Sequence, residues 1–450
     1  MRDILTLLDC LAPAVSAASL RQLSQIIGAI LTMSGRVTML GLSRWTDQGG
    51  SYRSIQRFFH KVIPWPQIFW AFFQRYLFNP EDVYLLVGDE SVATKAGKKT
   101  YGLDRFFSSL YGKAIPGLSF FALSLVSTQE RLSYPLMVEQ RVRSEAEKAA
   151  TKAQSQQKKA QKKSTKRPLG RPKGSKNKTK GLSEFSPELL FIQAMIVLVL
   201  SLIKGILPVT YLVLDGHFGH STALAMSRHC GLHLISKLRH DAALYFPYEG
   251  TYCGRGRRCQ YGKQVDYQHL PAQYLKPLSL EGNIQTSIYQ ANLLHKHFTQ
   301  TLNVVIIVKI NLKTGKRSQV ILFSSDLTLA YDLLMDYYSL RFQIEFNFRD
   351  AKQYWGLEDF MNVSQTAVGN AANLSLFMVN VAALLLRDFR QHSPLVGVLD
   401  LKAHFRGCKY VNETLKLLPQ KPEPILLQRL FQSVAQLGRI YTTPSHFNSS

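Results

Sequence analysis

The sequence has few acidic residues for its length. It contains 30 Asp and Glu against 55 Lys and Arg, which gives a formal net charge of +25 over 450 residues. That excess is larger than solubility requires and predicts a polyanionic partner. Nucleic acid is the first candidate, and an anionic membrane surface is the second.

Cysteine is also scarce. The five cysteines are irregularly spaced, which disfavours a disulfide framework and indicates a reducing compartment. Two of them, Cys253 and Cys259, lie in a basic loop without a matching second pair of ligands, which disfavours a zinc site.

Long uninterrupted apolar runs are missing. Residues 189–203 and 374–386 are shorter than the 18 or more residues that a membrane span usually takes, so we expect buried helices and no membrane partner. The early apolar run at residues 4–8 is flanked by Asp3 and Asp9, and we expect no signal peptide. With 46% hydrophobic residues, the chain can bury a large core in two or three domains.

One stretch, residues 331–355, is predicted to form a single long helix. Its apolar positions recur at helical spacing, and Tyr338, Arg341, Glu345 and Lys352 lie within about 60° of one another beside that stripe. One carboxylate would therefore sit between two cations on one edge of the helix. On spacing alone, an exposed helix with ordinary ion pairs explains the pattern equally well.

The spacing Tyr338-x2-Arg341-x3-Glu345-x6-Lys352 resembles the Y-R-E-K signature of bacterial insertion-sequence transposases of the type-four family, in the DDE superfamily. All four residue types match. The resemblance implies that Glu345 is a metal-binding carboxylate and that Tyr338, Arg341 and Lys352 contact transposon-end DNA. It also implies two upstream aspartates at the ends of strands.

Both aspartates have candidates. Residues 83–87 form a short apolar run typical of a buried strand, and Asp89 follows it. Because successive side chains of a strand point to opposite faces, only one of Asp89 and Glu90 can point inward. The resemblance implies that it is Asp89. Residues 209–214 are likewise predicted to form a strand, and Asp215 follows it. His217 and His220 are interpreted as supporting or structural residues, because Mg²⁺ prefers oxygen ligands.

The resemblance implies a reaction as well. Asp89, Asp215 and Glu345 would hold two Mg²⁺ or Mn²⁺ ions for cleavage at transposon ends and strand transfer into target DNA. The partners would be terminal inverted repeats, target DNA and a second copy in a homodimer, at the nucleoid in the bacterial cytoplasm. The alternative is a catalytically inactive DNA-binding protein of transposase descent.

Further basic residues are candidates for DNA contact. Arg53 and Arg57 lie at the start of a predicted helix after a Gly-Gly turn, where a capped surface helix is nearly as good an explanation. Lys95 begins a basic turn with Lys98 and Lys99. The arginine-rich loop around residues 255–263 suits a DNA backbone or simple solvation equally.

About half of the excess charge is concentrated in one stretch. Residues 141–181 carry 15 Lys and Arg against two Glu and show no apolar periodicity, which predicts a flexible insertion. Within it, Gly170-Arg171-Pro172 is similar to the core of an AT-hook, in which an Arg such as Arg171 lies in a narrow minor groove. Non-specific attraction to phosphate is the simpler interpretation.

The expected fold is α/β, with an RNase H-like catalytic core interrupted by a β-rich insertion, an N-terminal helical DNA-binding domain and C-terminal helices. Two early strands, 106–111 and 118–127, are predicted to join through a Pro116-Gly117 turn. The expected segments are the DNA-end-binding helices (1–78), the first core part (79–140), the Lys-rich insertion (141–184), the second core part (185–244), the β-rich insertion (245–326), core helices with the catalytic Glu (327–390) and a C-terminal helical region (391–450).

Overall fold

The computed structural model describes residues 4–46, 50–108, 111–149, 185–251, 259–420 and 422–441, together with residues 153, 156 and 254. Most of the predicted Lys-rich insertion, including Arg171, lies outside these residues, as do Arg255, Arg257 and Arg258. The predicted fold class is confirmed: a large mixed sheet is preceded by N-terminal helices and covered by later ones.

The N-terminal region is helical, as predicted. Its helices are α1 (Ile4–Leu8), α2 (Ala17–Thr32), α3 (Met39–Trp45), α4 (Tyr52–Phe59) and α5 (Trp65–Tyr76). Ser16, Thr38 and Ser51 cap three of these helices by accepting a backbone N–H. The buried faces of α2, α4 and α5 join the same hydrophobic core as the central sheet.

The sheet forms the centre of the molecule. Its strands are β1 (Tyr84–Thr94), β2 (Asp104–Ser108), β3 (Lys113–Ser127), β4 (Ser133–Arg141), β5 (Tyr211–Val213), β6 (His233–Leu238), β7 (Leu244–Pro247), β8 (Tyr261–Gln264), β9 (Leu275–Glu281), β10 (Ile284–His295), β11 (Leu302–Asn311) and β12 (Arg317–Ser324). The neighbours run β2-β3-β1-β5-β6-β12-β11-β10-β7-β8, with β4 on β3 and β9 on β10. Strands β1, β5 and β6 are parallel, whereas β3 and β4 continue the sheet as antiparallel neighbours.

Strand β1 is longer than predicted. The apolar run was expected to end before Asp89, but β1 continues to Thr94 because β3 pairs with it along its whole length, from Tyr84–Ser127 to Thr94–Gly117. Only the parallel pairing with β5 stops at Val87 and Val213. Asp89 therefore lies inside a strand, just beyond the end of the parallel part of the sheet.

The predicted turn at Pro116-Gly117 is wrong. Both residues lie inside β3, opposite Arg105 and Asp104 of β2, and the chain reverses between Ser108 and Lys113 instead. Gly117 is needed for a close approach, since a Cβ there would lie 2.7 Å from a methyl group of Val92 and 2.8 Å from the Ala93 carbonyl.

The β-rich segment extends the core sheet. Strand β12 pairs with β6 from Ile321–Leu238 to Ser324–Ile235, and β11 and β10 add to it in turn. The predicted β character of this segment is confirmed.

The prediction of one long helix over residues 331–355 is wrong in one respect. The stretch forms α8 (Tyr331–Leu340) and α9 (Gln343–Gln353), separated by Arg341 and Phe342. Across the break, the amides of Arg341, Phe342 and Glu345 bond to carbonyls three residues back rather than four. The chain is therefore more tightly wound at Arg341 and Phe342 than in the helices on either side, although both residues keep helical backbone angles.

The remaining helices are α6 (Pro187–Ile203), α7 (Ser221–His229), α10 (Gln365–Arg390), α11 (Val398–Leu417) and α12 (Pro424–Val434). In the described part of the chain, α10 alone is long and apolar enough to cross a membrane, and 83% of its apolar window is buried inside the protein. It packs on α9, α5 and β4, which is the behaviour of a core helix.

Candidate active site

Asp89 lies on β1, next to the start of α9. Its Oδ1 accepts the backbone N–H of Glu90 at 2.8 Å, and its side chain is 20% exposed. Burial raises the pKa of Asp89 to about 6, while Arg341 acts in the opposite direction. The strand thus places a carboxylate where its charged form needs a cation.

Asp215 follows β5, the parallel neighbour of β1. It caps the short turn of residues 216–218, where its Oδ1 accepts the N–H of His217 at 3.1 Å. Its backbone carbonyl accepts the Ser236 hydroxyl at 2.7 Å, which ties the turn to β6. The charge of Asp215 contributes to the raised pKa of Asp89, so the two aspartates share one electrostatic environment.

Glu345 joins the site through Arg341. One guanidinium nitrogen of Arg341 lies 3.0 Å from Asp89 Oδ2, and another lies 2.9 Å from Glu345 Oε1. Burial would lower the pKa of Arg341, but Asp89 and Glu345 outweigh it and raise that pKa above its usual value. A strand residue and a helix residue far apart in sequence are thereby held by one cation.

Tyr338 lies beside this cluster. Its phenol contacts Arg341, and burial raises the pKa of the phenol, with further contributions from the negative charges of Asp215 and Asp89. The structure therefore gathers Tyr338, Arg341, Asp89, Asp215 and Glu345 just beyond the point where the parallel pairing of β1 and β5 stops.

Lys352 and Lys95 are placed differently. The Lys352 ammonium donates to the Val92 carbonyl at 2.8 Å and lies 3.7 Å from Glu358. The Lys95 ammonium donates to the carbonyls of Glu358 and Phe360 at 2.9 and 3.0 Å and lies 3.6 Å from the Phe360 ring centroid. Burial lowers the pKa of both, that of Lys95 to about 8. Both cations hold the loop after α9 against β1, and their DNA contacts stay predictions.

Arg53 lies at the exposed start of α4, and Arg57 is exposed near its end. Both are accessible to a partner, but α4 packs on α2, α3 and α10, away from the gathered carboxylates in sequence and in element contacts. Their predicted role in DNA contact stays a prediction.

The two histidines after Asp215 have separate roles. His220 caps α7, where its Nδ1 accepts the N–H of Ala223 at 3.3 Å. The Nε2 of His217 lies 3.7 Å from Glu188 at the start of α6, and this neighbour lowers the pKa of Glu188. His217 thus connects the turn that carries Asp215 to α6.

The donor set suits a hard divalent ion. Asp89, Asp215 and Glu345 supply only carboxylate oxygens, which Mg²⁺ and Mn²⁺ prefer. Among the described residues, no three His, Cys, Asp or Glu side chains are arranged closely enough to hold a metal as they stand, because Arg341 lies between Asp89 and Glu345. The three carboxylates therefore fit a divalent ion by their chemistry, and in this structure the Arg341 guanidinium supplies the positive charge beside two of them.

Two supporting residues were missed from the sequence. A Cβ at Gly88 would lie 2.8 Å from Phe121 and 2.9 Å from Leu214, so the glycine before Asp89 lets the neighbouring side chains close over the strand. Asn347, buried on α9, donates to the hydroxyl of Ser133 on β4 at 2.7 Å and fixes that helix on the sheet. The glycine in the run LLVGDE was a visible signal; the asparagine had none.

The mixed sheet, with antiparallel β3 and β4 beside parallel β1, β5 and β6 and with helices before and after it, is consistent with the RNase H-like core of a DDE nuclease. A family model described as DDE superfamily endonuclease matches residues 8–287, well over half of the chain. The chain belongs to this family. The matched range contains Asp89 and Asp215 and ends before Glu345. A search of curated proteins found no match to the chain.

Proposed function

We propose that this protein is a transposase of the bacterial insertion-sequence type-four kind, which cuts transposon ends and joins them to target DNA. The supporting observation is that Arg341 brings Asp89 and Glu345 together, with Asp215 beside them. Three acidic residues thus lie close to Tyr338 and Arg341, two members of the Y-R-E-K signature, in a chain with a net charge of +25. We further propose two Mg²⁺ or Mn²⁺ ions, a homodimer that bridges two ends, and a location at the bacterial nucleoid.

The chemistry follows from the residues. Divalent ions held by Asp89, Asp215 and Glu345 would activate the attacking oxygen and stabilise the leaving oxygen. In the first step a water oxygen would attack phosphorus and the bond between phosphorus and O3′ would break. This leaves a 3′-hydroxyl on one strand end and a 5′-phosphate on the other. In the second step the oxygen of that 3′-hydroxyl would attack a phosphorus of the target DNA as its proton is lost, and the bond from that phosphorus to the target O3′ would break, which joins the two DNAs and leaves a 3′-hydroxyl on the target strand. Tyr338 and Arg341 would orient the end, with Arg341 exchanging carboxylates for a DNA phosphate.

Nicking of supercoiled plasmid with Mg²⁺ tests the first step. We expect Asp89→Asn, Asp215→Asn and Glu345→Gln to lose about 10³-fold or more in rate, because each removes a metal-binding carboxylate. DNA binding should stay within about twofold, since the charge of the DNA-contacting cations is unchanged. Glu90→Gln is the matched control, because Glu90 is adjacent on β1 but points to the opposite face and accepts the Ser119 hydroxyl.

Two results would contradict the assigned roles. Loss of nicking in the Glu90 variant with retention in the Asp89 variant would contradict the residue assignment. Loss of DNA binding in the Glu345 variant would contradict its role as a metal ligand. Strand transfer is tested separately, with a pre-cut end carrying a free 3′-hydroxyl and a supercoiled target.

A catalytically inactive DNA-binding protein of transposase descent is the second candidate. One observation favours it: Arg341 occupies two of the three acidic side chains. A wild-type protein that binds DNA but leaves plasmid intact at millimolar Mg²⁺ and Mn²⁺ would support this alternative over the transposase.

A further inference from the structure

Strands β2 and β3 form a ribbon that extends past the body of the sheet. The pairing of β1 with β3 ends at Thr94 and Gly117, and the pairing of β4 with β3 ends at Arg141 and Ser119. Beyond that point, β2 is the partner of β3 among the described residues, from Asp104–Gly117 to Ser108–Lys113. We call residues 104–108 and 111–117 the β2–β3 arm.

The arm displays aromatic rings to solvent. Phe107 is 73% exposed and Tyr111 is 60% exposed, and they are the two most exposed aromatic side chains in the part of the chain that the structure describes. Phenylalanine is ordinarily among the most buried residues, and two such rings at one projecting ribbon are typical of a surface that binds something.

Exposed cations lie on the arm and in the loop before it. Arg105 and Lys113 lie on the arm itself, and Lys98 and Lys99 lie in the loop before it; all four are exposed. Within the described ranges, none of the four forms an ion pair, whereas the arm's own acid, Asp104, is neutralised by Arg143 at 2.9 Å. The arm therefore combines uncompensated positive charge with accessible rings.

The arm lies on the same side of the sheet as the catalytic carboxylate. Asp89 is opposite Ala122 of β3, and Phe107 is opposite Ala114. Residues that face each other in an antiparallel pair point to the same face, and so do residues eight apart on one strand. At about 3.3 Å per residue, Phe107 stands about 26 Å from Asp89 along β3. That span is about eight nucleotide steps of 3.4 Å.

Single-stranded DNA fits both features. Cations alone would suffice for a duplex backbone, but exposed rings offer a stacking surface to a base that is not already stacked on its neighbours. A second copy of this chain is a poorer occupant, because pairing of two β2 edges would bring the same cations face to face.

We propose that the β2–β3 arm binds unpaired nucleotides of the DNA substrate, with Phe107 stacked on a base and Arg105, two residues earlier on the same face of β2, on the adjacent phosphate. This inference rests on the proposed function in one respect, namely that the substrate is DNA. It adds a preference for DNA with unpaired bases near the active site.

Equilibrium binding without divalent metal separates the arm from catalysis. The full-length protein is titrated with a blunt duplex and with the same duplex carrying a ten-nucleotide single-stranded extension, with 2-aminopurine placed along the extension. We expect Phe107→Ala to weaken binding to the extended DNA by about 5- to 150-fold, the loss of one stacked base, and to change blunt-duplex binding by less than about twofold. The fluorescence change of 2-aminopurine should disappear in this variant.

Three further variants sharpen the test. Phe107→Trp should restore both affinity and the fluorescence change, because indole stacks at least as well as phenyl. Arg105→Gln should weaken binding to the extended DNA more than binding to the blunt duplex, and should reduce the salt slope for the extended DNA by about one. Leu395→Ala is the matched control, since Leu395 is 71% exposed and lies between α10 and α11, so it should bind both DNAs as the wild type does.

Several outcomes would overturn the proposal. One is equal binding of the extended DNA by the wild type and Phe107→Ala, and another is an equal loss on both DNAs. A third is a change of sedimentation from dimer to monomer in Phe107→Ala with unchanged DNA affinity, which would assign the arm to contact between copies. If the wild type nicks no plasmid but Phe107→Ala still weakens binding to the extended DNA alone, the arm proposal stands while the transposase proposal fails.

Discussion

Arg341 and Asp89 form an ion pair across the active site, with guanidinium Nη1 at 3.0 Å from carboxylate Oδ2. The same guanidinium binds Glu345 through its other terminal nitrogen at 2.9 Å. The Arg341 side chain is 16% exposed, so water cannot replace this interaction fully. One side chain therefore neutralises two of the three carboxylates that a metal would need.

Arg341→Gln should lower stability and raise metal affinity at the same time. We expect a loss of about 2 kcal/mol in the free energy of unfolding, because a charged hydrogen-bonding partner is removed from a partly buried carboxylate. Added Mn²⁺ should then raise the melting temperature of this variant more than that of the wild type, since Asp89 and Glu345 lack their cation. Differential scanning calorimetry with increasing Mn²⁺ measures both effects.

Arg349→Gln is the control for that experiment, because Arg349 lies on α9 with Glu345 but pairs with Asp350, and its own side chain is 51% exposed. This control substitution should change neither the free energy of unfolding nor the shift of melting temperature caused by Mn²⁺ appreciably. An Mn²⁺ shift no larger in the Arg341 variant than in the wild type would show that Arg341 does not compete with metal.

Lys95→Gln should destabilise the protein, whereas Lys98→Gln should not. Lys95 donates to the carbonyls of Glu358 and Phe360, while Lys98 is exposed. We expect a loss of about 1–2 kcal/mol in urea unfolding for Lys95→Gln, and a smaller salt slope of DNA binding for Lys98→Gln. A Lys95 variant with unchanged stability and weakened DNA binding would contradict this division of roles.

The sequence predicted the elements that local pattern controls. The runs that deliver Asp89 and Asp215 are continuous and apolar, which suits strands buried on both faces, and β1 and β5 form where expected. The apolar helices α6 and α10 were predicted for the same reason. Local composition also indicated the β-rich character of residues 245–326.

Features decided by distant contacts were not predictable. Residues 331–355 contain neither Gly nor Pro, so nothing local indicates the break after Leu340. At that break Arg341 reaches Asp89, 252 residues away in sequence. Likewise, Pro116-Gly117 has the composition of a turn, but pairing with β1 and β2 keeps it extended. Tertiary structure overrode local preference in both places.

Acid should destabilise the protein through His404. Burial on α11, and the nearby charge of Arg439, lower the pKa of His404 from its ordinary 6.5 to about 4. Between these values the unfolded chain binds a proton that the folded chain does not, so stability is full above about pH 6.5 and falls as the pH drops toward 4. The contribution is of the order of 3 kcal/mol at the lower limit.

Urea unfolding at pH 7 and pH 5 measures this dependence. His404→Gln should reduce the difference between the free energies of unfolding at pH 7 and pH 5. His269→Gln, at an exposed site, should leave that difference unchanged. An equally steep pH dependence in the His404 variant would assign the acid sensitivity to other groups.

Asn370 joins the N-terminal helices to the core and should be costly to replace. Its buried amide donates to the carbonyls of Phe59 and Lys61 at 2.8 Å each and accepts the indole N–H of Trp65 at 2.8 Å. Asn370→Leu would leave these three groups buried without partners, and we expect a loss of about 3 kcal/mol. Gln365→Leu, at an exposed position at the start of the same helix, should change the free energy of unfolding little.

The N-terminal helices should unfold together with the sheet. Because these helices share one hydrophobic core with the sheet, circular dichroism and tryptophan fluorescence should report one common transition. Two separate transitions would show instead that the N-terminal helices fold as an independent unit.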